Sequence, residues 1–236
     1  MLCKIADLIT EVPEAGGLAP RCRAYLYSGS EQPDIIIDAS RYDRSRYHPM
    51  MPDDLVAYLE SGRQFQSRLI SFGGLYLHSS PAAVDGKAYL FSGPSGVGKS
   101  THVGLWQELL GDNVCRFNDD KPPLRRLDGR WYAYGAPWCG KDGINENRRF
   151  PVAGICFLKQ GSENKIRRLI PQEAVPRLLS QTIHRFRDPA RLDLMLRHLE
   201  ALVVEIPVYE LENRPEMEAA RLSYETMRRG AEEAKL

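Results

Sequence analysis

The segment Gly93-Pro94-Ser95-Gly96-Val97-Gly98-Lys99-Ser100 constrains this chain more than any other stretch. An apolar run, Ala88-Tyr89-Leu90-Phe91, precedes it, and helical spacing follows over residues 101–110. Its glycines let the backbone curl so that successive N–H groups, and those of the helix N-terminus, point at phosphate oxygens. The pattern G-x-x-x-x-G-K-S adds a lysine for the β and γ phosphates and a hydroxyl for Mg²⁺. The residues expected to hold a nucleotide, ATP or GTP, are Gly93, Pro94, Ser95, Gly96, Val97, Gly98, Lys99, Ser100 and Thr101.

Such a loop serves GTPase switches, motor ATPases and small-molecule kinases alike, so a second element must decide the chemistry. Arg116-Phe117-Asn118-Asp119-Asp120-Lys121 brings two adjacent carboxylates to the end of a short strand expected over residues 114–118. Phosphoryl transfer to a hydroxyl needs one carboxylate near the metal and another to accept the hydroxyl proton. Asp119 is the expected base, and Asp120 with Ser100 the expected metal-linked pair. Adjacent aspartates also occur in solvated turns; the phosphate loop upstream favours the catalytic reading.

The stretch from Leu77 to Asp120 resembles the catalytic domain of the HPr kinase/phosphorylase family and, more remotely, the P-loop core of ATP-dependent phosphoenolpyruvate carboxykinase. The family's loop form G-x-S-G-x-G-K-S is met by Gly93, Ser95, Gly96, Gly98, Lys99 and Ser100, and its acidic pair falls on Asp119 and Asp120. A family histidine stands before the loop, and His78 in Leu77-His78-Ser79-Ser80 matches it. Relatives of the same kind carry Asn-Asp-Asp-Lys-Pro, here Asn118 to Pro122, and Gly-x-Pro-Trp-x-Gly-Lys, here Gly135 to Lys141. The resemblance covers residues 65–215. It implies a mixed β-sheet with flanking helices, an α/β phosphoenolpyruvate carboxykinase-like P-loop core, and a kinase with catalytic Asp119, Asp120, His78 and Lys99. The family includes homo-oligomers. Thr101 stands where HPr kinases have Glu, and no Glu-x-Arg-Gly signature is found, which points to an acceptor other than HPr. Three readings stay open: a kinase for a serine or small-molecule hydroxyl, a peptide-modifying kinase of a biosynthetic pathway, and a regulatory nucleotide-binding module without an acceptor.

Residues 135–149 combine glycines with Trp138, Lys141, Asn145, Asn147, Arg148 and Arg149. This stretch is either a basic loop that closes over the transferred phosphate, through Trp138, Lys141 and Arg149, or an exposed loop with incidental charge. His48, His102, His184 and His198 carry no motif; His102 is expected to cap or pack the helix after the loop.

A net charge of +1 over 236 residues supplies no broad field for nucleic acid or an anionic membrane, and no stretch approaches the roughly 20 apolar residues of a membrane helix. A cytoplasmic protein is expected. Five scattered cysteines without a C-x-x-C pair are expected to be reduced thiols rather than a disulfide framework or zinc site.

Patterning divides the chain into a small β-rich lobe over residues 1–65 and a catalytic domain over 66–236. Strands are expected at 23–27, 34–38, 69–77, 87–92, 151–158, 165–170 and 203–209. Hairpin turns are expected at Asp85-Gly86 and Asp128-Gly129, the second within 124–134. Helices are expected at 52–60, ended by Gly62, through Leu178, Leu179 and Ile183, through Leu192, Met195 and Leu199, and after Pro215.

Overall fold

The computed structural model describes residues 1–14, 17–182 and 188–234. The chain opens with a hairpin of β1 (Leu2–Ile5) and β2 (Leu8–Glu11), one helical turn α1 (Ala19–Cys22), and a short strand β3 (Ile35–Ile36) paired with β2. Helix α2 (Asp53–Leu69) leads to β4 (Gly74–Tyr76), β5 (Ser79–Val84) and β6 (Lys87–Ser92). Then come α3 (Lys99–Leu110), β7 (Val114–Cys115), β8 (Pro123–Leu127), β9 (Arg130–Tyr134), β10 (Arg149–Gln160) and β11 (Lys165–Arg168). Helices α4 (Pro171–Gln181) and α5 (Pro189–Glu205), strand β12 (Val208–Asn213) and helix α6 (Met217–Glu233) complete the order.

Nine strands form one mixed sheet along the path β4-β8-β9-β10-β6-β5-β7, with β12 beside β10 and β11 beside β12. Strand β10 is its axis, parallel to β6 and β12 and antiparallel to β9. Side chains alternate between the faces of a strand, and here both faces are covered. Ala88 and Leu90 of β6 pack with Leu178 of α4 and Leu199 and Leu202 of α5. Tyr89 and Phe91 of the same strand pack with Trp106 of α3 and Met227 of α6. Helices on both faces explain why β6 reads as an unbroken apolar run. A third cluster joins Ile5, Leu8, Tyr25 and Ile35 of the N-terminal elements to Phe65 and Leu69 of α2 and to Trp138. Position 65, where the lobe boundary is expected, lies inside α2, which runs unbroken from 53 to 69.

Several expected elements are corrected. Gly62 does not end its helix: a Cβ at that position would lie 2.8 Å from Trp138 Cδ1, so the glycine is there for close packing. The strand expected at 69–77 shrinks to β4, because Leu69 closes α2 and a left-handed Gly73 turns the chain afterwards. The partner joined to β6 through Asp85-Gly86 is β5, and both turn residues have the positive φ that a tight reversal requires. Residues 23–25 form a 3₁₀ turn with Tyr25 fully buried rather than part of a strand. Of the run 114–118, only Val114 and Cys115 form a strand, β7, paired with β5, and Asn118 makes a separate antiparallel bridge to Asn145. Val203, Val204 and Glu205 belong to α5; the strand starts at Val208, since Pro207 cannot donate a ladder hydrogen bond. The turn at Asp128-Gly129 joins β8 to β9 as expected. Ile183 and His184 lie outside the described residues. Among the described residues no helix is long and apolar enough to cross a membrane, and all five cysteines are free thiols.

Candidate functional site

The glycine-rich loop leaves the end of β6 and enters α3, so it lies at the C-terminal edge of a central strand, where open α/β sheets place their ligand crevices. Gly93, Gly96 and Gly98 all take positive φ, and Gly98 is the N-cap of α3. A Cβ at Gly96 or Gly98 would meet nothing within 4 Å; these glycines serve backbone conformation. The first turn of a helix leaves N–H groups without intrahelical acceptors, and here they belong to the loop's own Lys99, Ser100 and Thr101. Ser100 and Thr101 are exposed. Lys99 is buried, and its Nζ donates to the carbonyls of Gly93 and Pro94 at 2.9 and 3.0 Å. Burial pushes the Lys99 ammonium below its usual pKa, against the opposing pull of Asp120. Two clefts flank the loop. One, of about 580 Å³, is lined by Gly93 to Val97, the end of β10 and Gln181; the other, of about 390 Å³, lies beside Thr101, Gly161 and Arg214.

His78 sits between β4 and β5, held by its backbone N–H to the Gln181 carbonyl at 2.8 Å. Its Nδ1 is 3.2 Å from Gln181 Oε1, so with that oxygen as acceptor Nδ1 carries the proton. Its Nε2 then faces Asp120 Oδ1 at 3.7 Å as a lone pair. Burial, then the charge of Lys99, lower the His78 pKa, which keeps the ring neutral at pH 7.

The two aspartates are not equivalent. Asp119 is buried, and both its oxygens are engaged: Oδ1 accepts the Gly140 N–H and Oδ2 the Asp142 N–H, each at 2.7 Å. Asp120 is partly exposed, with its backbone N–H donated to Asn118 Oδ1 at 2.9 Å and its carboxylate between His78 and Lys121. Lys99, His78 and Asp120 are thus brought into one electrostatic cluster, while the Asp119 carboxylate clamps the loop that follows β9.

That loop is tied down at several points. Trp138 is buried, stacks on Phe65 with centroids 4.9 Å apart, and donates its Nε1–H to Ser61 Oγ at 3.0 Å. Arg149 is ion-paired with Asp7 and lies over the Tyr132 ring at 4.8 Å. Neither is directed to the glycine loop; Lys141 is exposed. His102 is buried, with Nε2 2.8 Å from Ser223 Oγ and its ring against Phe91, so it packs its helix as expected.

Sequence reasoning missed Gln181, which orients His78 from the end of α4 and carries no motif. Lys121 lay within the Asn-Asp-Asp-Lys-Pro segment and could have been singled out as the ion-pair partner of Asp120. Among the described residues no cluster of three or more His, Cys, Asp or Glu forms a metal cage.

No protein-family model matches the chain, and no curated protein matches it. Among solved structures, the Hpr(Ser) kinase/phosphatase from Coxiella burnetii is similar at 12% identity and a TM-score of 0.36, over 65% of this chain and 93% of that one. A likeness at that level carries no inference about the site.

Proposed function

We propose that this chain is a Mg²⁺-dependent phosphotransferase that binds ATP or GTP at residues 93–101 and passes the terminal phosphoryl group to a hydroxyl of a peptide, protein or small molecule. The observation that carries the reading is the strand-loop-helix glycine turn, with Lys99 held by the Gly93 and Pro94 carbonyls within electrostatic reach of an Asp120 carboxylate that itself faces neutral His78. The loop amides and Lys99 would bind the phosphates. Ser100 and Asp120 supply the oxygens that would hold Mg²⁺ with the nucleotide, an ion that keeps phosphates and one or two protein oxygens as ligands and neutralises phosphate charge.

Of the two aspartates, Asp119 has both oxygens committed to amide donors, so the acceptor side falls to Asp120 and His78. In this reading the hydroxyl oxygen forms the new bond to phosphorus as the β–γ bridging bond breaks. The hydroxyl proton passes to the Asp120–His78 pair and the nucleoside diphosphate leaves. Asp119 acts as a positioning residue, which revises the base role expected for it.

The test is transfer of labelled γ-phosphate from ATP into a lysate split into protein and metabolite fractions, with Lys99→Ala as control. Label in one fraction that is lost in the variant supports the reading and names the acceptor class. Wild-type protein that neither binds nor turns over Mg-ATP or Mg-GTP would sink it.

A further inference from the structure

The two clefts beside the phosphate loop are not equivalent. Loop amides cradle the α and β phosphates of a bound triphosphate and the lysine reaches the β and γ phosphates, so the nucleoside lies at the end away from the lysine. Lys99 Nζ is held at the start of the loop by the Gly93 and Pro94 carbonyls. The cleft of about 580 Å³ shares that end: Gly93 and Pro94 line it, and so does Gln181, which bonds His78. The cleft of about 390 Å³ lies at the other end, between the first turns of α3 and the segment that leaves β12, and none of residues 93–95 lines it. Val97, Leu105 and Pro215 give it hydrocarbon walls. Arg214 is exposed on its rim, and among the described residues its guanidinium has neither a hydrogen bond nor an ion pair. The backbone beneath that side chain is fixed: the Arg214 N–H donates to Asn164 Oδ1 and its carbonyl accepts from Asn213 Nδ2, both at 3.0 Å. The carboxylates near it in the chain are engaged elsewhere, Glu212 with Lys159, and Glu216 and Glu218 with Asn164 Nδ2.

We propose that this cleft holds the nucleoside with the Arg214 guanidinium stacked on the base, and that the base is held by its face and not read at its edge. The proposal rests on the nucleotide-binding reading of the phosphate loop and adds what that reading leaves open, the choice between ATP and GTP. A guanidinium is planar and stacks on aromatic faces, and every base offers such a face, so stacking favours no base over another. Discrimination needs fixed donors and acceptors at the base edge, and the side chains of this cleft do not supply them. His102 presents a ring whose Nδ1 is buried and whose Nε2 is 2.8 Å from Ser223 Oγ. Asn213 is buried, with its amide nitrogen committed to the Arg214 carbonyl. Thr101 belongs to the phosphate end. Gln160 is exposed and, among the described residues, its amide has no partner; it carries both a donor and an acceptor on a side chain that can turn either toward a ligand. The volume lies within the range of small-ligand sites.

Calorimetry on the wild-type chain compares Mg-ATP, Mg-GTP and Mg-tripolyphosphate, which has the phosphates and no nucleoside. The two nucleotides should bind within about threefold of each other, and each about tenfold tighter than Mg-tripolyphosphate. Arg214→Ala should weaken both nucleotides by about tenfold and leave Mg-tripolyphosphate unchanged. Equal weakening of all three ligands would make Arg214 a general phosphate attractor and overturn the stacking, as would unchanged nucleotide affinity in the variant. A preference of more than about tenfold for one base overturns the claim that its edge goes unread. Lys99→Ala, the control for the phosphate loop, should abolish binding of all three. Mg-tripolyphosphate that binds through Lys99, with nucleotides binding no tighter, overturns the nucleoside site and leaves the phosphate loop standing. Wild-type protein that binds none of the three overturns both.

Discussion

Two glycine-rich loops in this chain look alike as strings and differ in construction. In the phosphate loop, Gly96 and Gly98 take positive φ with open space around them, leaving a backbone surface free to meet a ligand. In the loop after β9, Gly135 and Gly140 are glycine because other atoms are already there: a Cβ at Gly135 would collide with the Glu146 carbonyl, and one at Gly140 would lie 2.9 Å from Asp120 Cβ. Gly96 and Gly98 serve conformation and Gly135 and Gly140 serve contact, while Gly143, at positive φ in open space, is of the first kind. A conformational glycine exposes amides; a contact glycine transmits position, here from the Trp138 anchor to the aspartate pair.

The largest effect should separate the two aspartates. Asp120→Asn should lower phosphoryl transfer by roughly 10²- to 10⁴-fold with little change in stability. Asp119→Asn should lose about 1.5–3 kcal/mol of stability in urea titrations, because an amide nitrogen replaces one of the oxygens that accept Gly140 and Asp142 N–H groups. The reverse pattern would show that Asp119 is the reacting carboxylate and that the clamp is incidental.

The phosphate loop, though open above, is anchored below by His102. Burial lowers the His102 pKa to about 4. The unfolded chain binds that proton near pH 6.5 and the folded chain does not, so the stabilisation is complete above pH 6.5 and is lost as pH falls toward 4. The loss should reach about 3 kcal/mol at the low end. Denaturant titrations at stepped pH should show this component in the wild type and lack it in His102→Gln. An unchanged slope in that variant would place the proton uptake elsewhere.

The glycines themselves can be compared. Gly140→Ala should cost about 1–3 kcal/mol, since backbone or the Asp120 stem must move, and should reduce transfer as well. Gly96→Ala, strained by its φ of 81° but uncrowded, should cost about 1 kcal/mol. Equal costs accompanied by equal losses of transfer would erase the distinction drawn between the loops. The smallest effect is an absence: with Trp106 and Trp131 replaced by Phe, nucleotide should leave Trp138 fluorescence unchanged, because that ring is stacked on Phe65 and bonded to Ser61. A nucleotide-dependent signal would mean that the second loop moves after all.

Legibility tracked the range of the interaction. The glycine loop, the turns at Asp85-Gly86 and Asp128-Gly129, and the apolar runs of β6 and β10 were readable because their causes are local: φ preferences and side-chain period act within a few residues. Helix α2 past Gly62 was misread because a helical glycine and a terminating glycine are the same letter, and Trp138, 76 positions away, distinguishes them. The end of α5 was misread for a related reason. Val203 and Val204 favour strands intrinsically, but the helix continues past Leu202, which is buried beneath the sheet, and ends only before Pro207.

The sequence by itself determined that a strand delivers its chain into a glycine-rich loop and a helix, and that two adjacent carboxylates come after the short strand that follows, since backbone chemistry and short-range pattern suffice for both. Only the tertiary structure decided which carboxylate is available. Asp119 and Asp120 are adjacent and chemically identical, and their difference comes from amide groups of Gly140 and Asp142, more than twenty positions downstream, folding back onto one and not the other. The same holds for Arg41, Arg63, Arg68 and Arg191, which are scattered along the chain and line one cleft in the folded molecule. Charges that distant in sequence have no pattern to read, because their proximity is set by the packing of the elements that carry them.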